Sequence, residues 1–137
     1  MTSMTKEVTD YLAKTDAEFQ KTYAAVKKMV KKYFPHAKEV FGYGIPGFTA
    51  RTTKTLIKDW PGTMDPNFAM IGLARRAQGI TLHGWCGDYR FLEKHKPMLT
   101  KAGFKVMRGC VQWNKKAAYP LPVVEKLIAA MAKAVKQ

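Results

Sequence analysis

Acidic residues are scarce in this chain. Its 137 residues include 10 Asp and Glu against 24 Lys and Arg, a formal net charge of +14. Cysteine is scarcer still, with Cys86 and Cys110 as the two thiols. Two cysteines are too few for a disulfide framework and lack the close spacing of a structural zinc site. They are expected as buried or half-buried packing thiols, with a reversible disulfide or a shared metal as the alternative. No apolar run approaches the roughly 20 residues that a membrane helix needs. The opening MTSMTKEVTD lacks the apolar stretch of a secretory signal, so a cytoplasmic protein without membrane contact is expected. Phosphate-loop signatures are missing too. GYGIPGF (42–48) has spaced glycines, but no Gly-Lys-Ser/Thr completes it and Pro46 interrupts it.

Hydrophobic residues, by contrast, make up 47% of the chain, with Phe 7, Tyr 6 and Trp 3 among them. That suffices for one core, so residues 1–137 are read as a single domain. Leu12, Phe19, Tyr23, Val26, Val30 and Phe34 recur at helical spacing and predict helix over 5–34, with a break near Thr15-Asp16. Thr15 followed by Glu18 forms a capping box that would start the main helix, and Pro35 stops it. From 38 to 86 the period changes to two. KEVFGYGI, TKTLIKDW, NFAMIGLA and GITLHGWC read as short strands joined by Pro- and Gly-rich connections. Residues 88–102 return to helix, with Pro97 opening a second short turn and Gly103 at a left-handed end. FKVMRGCVQW offers one or two more strands, and 121–135 a last amphipathic helix. The expected fold is α+β: an antiparallel sheet of five or six strands with the N- and C-terminal helices on one face.

Catalytic groupings are hard to find in this pattern. His83 lies three residues before Cys86, so on one strand the two project to opposite faces. Asp59, Asp65 and Asp88 sit in turn-like contexts, where aspartate commonly bonds its own backbone. A non-enzymatic binding domain is therefore expected. Two surfaces compete for that role. If 39–45 is one strand ending in a Pro46-Gly47 turn, Phe41, Tyr43 and Ile45 share a face and Val40, Gly42 and Gly44 the other. Tyr43, Pro46 and Phe48 could then join His83, Trp85 and Trp113 around a small-ligand pocket; the alternative is that these aromatics are simply core. Lys27, Lys28, Lys31, Lys32, Lys115 and Lys116 form the second candidate, a track for nucleic acid or another polyanion. A lysine-rich solvated surface is the plainer reading of the same residues.

The KEVFGYGIPGF segment after the first helix resembles the YdhG-like small domains, a family of unknown function. FAMIGLARRAQGITLHGW and RGCVQW before the YPLPVVEKLI helix are similar to it as well, and the likeness runs from about Tyr23 to Met131. Its most specific piece is Tyr43-Gly44-x-Pro46-x-Phe48. The resemblance implies a frataxin-like α-β-α sandwich and, from the label some members carry, an intracellular iron chaperone. Iron would then be sought near the acidic residues of the first helix, with Glu7 and Asp10 three apart on one helical face.

Overall fold

The computed structural model describes residues 6–35, 37–42, 44–51, 68–77, 79–86, 90–107 and 109–134. The helical opening is split in two, α1 (Lys6–Ala13) and α2 (Ala17–Tyr33). The break falls where expected, but the cap is Asp16 and not Thr15. The Asp16 carboxylate accepts from the Phe19 N–H at 3.1 Å, while the Thr15 hydroxyl turns back to donate to the Leu12 carbonyl. Asp16 thereby satisfies one of the free N–H groups of the first turn of α2. Lys31 and Lys32 close the last turn, where cations complement the helix dipole.

The strands are β1 (Lys38–Gly42), β2 (Ile45–Arg51), β3 (Phe68–Arg76), β4 (Gly79–Cys86), β5 (Lys105–Met107) and β6 (Cys110–Trp113). They form one antiparallel sheet in the order β1-β2-β3-β4-β6-β5. Between β4 and β5 lie α3 (Arg90–Lys94) and α4 (Lys96–Ala102), and α5 (Leu121–Ala134) ends the chain. Pro97 does open the second of the short helices, and Gly103 ends it at φ 114°. The candidate strand TKTLIKDW lies outside the described residues.

The expected strand over 39–45 is in fact a hairpin. β1 ends at Gly42, Ile45 pairs back onto it, and Gly44 at φ 77° supplies the left-handed backbone that such a tight reversal requires. Phe41 therefore shares a face with Pro46, and Ile45 falls on the other. Pro46-Gly47, expected as a turn, lies inside β2. Proline is tolerated there because pairing with β3 starts at Gly47, one residue beyond it. Tyr43 itself is outside the described residues.

One face of the sheet carries Phe48, Ile71, Leu73, Ile80, Leu82, Val111 and Trp113, all buried. Phe19, Tyr23, Val26 and Val30 of α2 and Val124, Leu127, Ile128 and Met131 of α5 belong to the same core. Each such side chain contributes about 1.5–3 kcal/mol by leaving water. Among the described residues no helix is long and apolar enough to cross a membrane.

Candidate functional site

The six residues expected around a ligand pocket do not all meet on one surface. Phe48 and Pro46 are buried in β2, and the Phe48 ring stacks on Tyr23 at 5.5 Å. Trp113 faces the same core from β6, edge-on to Phe104 at 5.2 Å, and its indole N–H donates to the Ala117 carbonyl at 3.0 Å. His83 sits on the opposite face of the sheet, paired with Gly72 on one side and Cys110 on the other. Trp85 belongs to β4, but its side chain is outside the described set, as is Tyr43.

The acidic residues near α2 are committed to partners. Asp16 binds the Arg75 guanidinium at 2.8 Å, and Glu18 approaches the same group at 3.7 Å. The Glu39 carboxylate is wholly buried between the Tyr23 hydroxyl, which donates at 2.7 Å, and the Lys27 ammonium at 3.4 Å. Burial first, and the bond to Glu39 second, push the Tyr23 hydroxyl well above the ordinary phenol range. Glu125 accepts from Tyr33 at 2.7 Å and from Lys32 at 3.1 Å, and these bonds hold its carboxyl below its ordinary value. Glu7 and Asp10, by contrast, stand exposed on α1. Among the described residues no three His, Cys, Asp or Glu side chains gather where they could hold a metal ion.

The candidate lysines fall into separate groups. Lys27 is spent on Glu39 and Lys32 on Glu125, whereas Lys28 and Lys31 are exposed on α2. Lys21, also exposed, extends that stripe toward the start of the helix. Lys115 and Lys116 lie at the other end of α2, on the rim of a cleft of about 540 Å³ shared with Glu18, Arg75, Gly79 and Trp113. Glu18 and Lys31 are separated by roughly 20 Å along the helix axis at 1.5 Å per residue. Gly79 is required at this cleft, since a Cβ there would overlap the Trp113 carbonyl oxygen. Sequence reading missed Arg75 as the cation that organises the cleft. Its only signal was a place at the end of an alternating strand.

On the sheet face away from α2 and α5, β4 and β6 place His83 beside Cys110, and β5 places Met107 beside Cys110. Cys110 is half-buried and Met107 is 42% exposed. Among the described residues the buried His83 Nε2 has no hydrogen-bond partner. Burial, and then the Arg76 charge, hold this imidazole below the usual histidine range, so it is neutral near pH 7. Burial raises the Cys110 thiol, and the same Arg76 pulls it partly back.

The architecture is thus an α+β domain with helices from both ends of the chain on a six-stranded antiparallel sheet. The same architecture is found in the crystal structure of a Bacillus subtilis protein of the DUF1801 family, YdhG. That structure is similar at a TM-score of 0.61 over 88% of this chain and 83% of that one, with 16% sequence identity. No family model matches the chain, and no curated protein does.

Proposed function

We propose that this chain is a YdhG-like, non-enzymatic binding domain and that its ligand is a polyanion such as nucleic acid. One observation carries the reading: among the described residues the charges without an ion pair are mostly positive, with Glu7, Asp10 and Glu93 the acidic exceptions. Asp16, Glu18, Glu39 and Glu125 are each tied to a cation. Lys21, Lys28 and Lys31 of α2, Lys126 and Lys133 of α5, and Lys115 and Lys116 are exposed, with no ion pair among the described residues. An excess of free ammonium groups on packed helices favours a chain of phosphates over a lone cation. The test is a titration of generic duplex DNA and RNA across a salt series. Affinity should fall with log[salt] at a slope near −0.9 per phosphate neutralised, summing to several phosphates. A flat salt response, or no binding at low salt, overturns the reading.

Iron handling in a frataxin-like domain, which the YdhG resemblance implies, is the second reading, supported by Glu7 and Asp10. They are three residues apart on α1, exposed and unpaired among the described residues. Hard cations prefer carboxylate oxygens, and water would complete the coordination. Anaerobic calorimetry with ferrous iron should show heat that the Glu7→Ala, Asp10→Ala double variant loses. Heat no larger than that of buffer ends this reading.

A further inference from the structure

Directly opposed residues of an antiparallel sheet project to the same face. The pairings His83–Cys110 and Cys110–Met107 therefore align an imidazole, a thiol and a thioether in one row across β4, β6 and β5. Burial agrees with that placement. On β6, Val111 and Trp113 are buried against the helices while Cys110 and Gln112 are half-buried, and on β5 Lys105 and Met107 are exposed. The Gly84 N–H donates to the Gly109 carbonyl at 3.2 Å. That bond makes His83–Cys110 a non-hydrogen-bonded pair, the type whose Cα atoms approach to about 4.5 Å and whose side chains lie closest. The His83 Nε2 is buried with no hydrogen-bond partner among the described residues, on the residue directly across the strands from Cys110.

We propose that Met107, Cys110 and His83 form a binding site for a soft monovalent metal ion, cuprous copper. Thiolate and thioether sulfur with imidazole nitrogen is the donor set that selects copper(I) over hard cations. Zinc would be short of ligands, because structural zinc sites use four and thioether is not among them. Magnesium, calcium and ferrous iron would find no carboxylate in the row. Charge also balances. Cys110 releases its proton as the sulfur–copper bond forms, so one positive charge leaves as another arrives, and Arg76 nearby meets no added charge. Met107, exposed at the sheet edge, gives the ion its way in.

The test is anaerobic titration of the full chain with copper(I) against a chromophoric chelator, joined to X-ray absorption of the loaded protein. The expected result is one copper per chain with one nitrogen and two sulfur ligands. Cys110→Ser should weaken binding by more than the roughly 10–100-fold that loss of an outer-shell partner costs. Met107→Leu, at an exposed edge position where folding is insensitive, should lose one sulfur from the coordination shell and weaken binding. Cys86→Ser should change neither. The proposal fails if the wild-type chain cannot take copper from the chelator. It fails equally if Cys110→Ser retains the ion, if Met107→Leu leaves the sulfur count intact, or if Cys86→Ser loses as much as Cys110→Ser.

Discussion

On the helix-covered face of the sheet, Leu82 meets Val111 and Ile80 meets Trp113. On the other face the same strands set His83 against Cys110 and Thr81 against Gln112. The first set is buried apolar surface, closed by α2 and α5. The second is polar and sulfur-bearing, and it grades from buried Thr81 to exposed Met107. A strand's period of two lets one sequence serve both ends, since neighbouring residues never compete for the same surface. Between β4 and β6 the large apolar side chains fall on one face, which leaves the other to carry donor atoms that a core would not tolerate.

The largest test of that division is a pair of truncations on neighbouring strands. Leu82→Ala should cost about 2–5 kcal/mol in urea unfolding, while Gln112→Ala should stay within about 0.5 kcal/mol. Equal losses would show that the second face is core as well. Next comes the polar exception inside the covered face. Tyr23→Phe removes a bond from a wholly buried Glu39 carboxylate and should cost about 1–3 kcal/mol. A neutral result would mean that Lys27 alone satisfies Glu39.

The same network sets a pH limit. Tyr23 and Tyr119 both have hydroxyls raised by burial above the ordinary 10.0. The folded chain holds those protons more tightly than the unfolded one, so their contribution is complete below about pH 10 and lost as pH rises further. The urea midpoint should fall above pH 10, and less steeply in Tyr23→Phe. Identical alkaline slopes would assign the loss to other groups. The smallest effect on stability belongs to Lys28→Ala with Lys31→Ala, within about 0.5 kcal/mol. That variant should nonetheless flatten the salt dependence of nucleic-acid binding, which anisotropy titrations would read directly. An unchanged slope would remove α2 from the interface.

Much of the architecture was legible because it rests on periodicity and breakers. Leu12 to Phe34 mark the helical face, Pro35 its end, and Gly103 the end of α4. The reversal at Gly44 was not, because alternation continues in phase on paper through Ile45 while Ile45 pairs back onto Gly42 in space. Candidate sites were less legible still, since they depend on strand neighbours far apart in sequence. Along the chain the nearest thiol to His83 is Cys86, three residues away on its own strand, whereas the sheet sets it opposite Cys110. Nor could the spacing of Lys31 and Lys115 show that they stand near opposite ends of one helix.

The outer strands of the sheet are short, five residues in β1 and three in β5. Each displays an exposed lysine, Lys38 on one and Lys105 on the other. A free sheet edge invites pairing with another chain's edge, and a brief, charged one offers little to zip against. Desolvating those ammonium groups would have to accompany any edge-to-edge union, so the domain is guarded against growing into a shared sheet with its own copies.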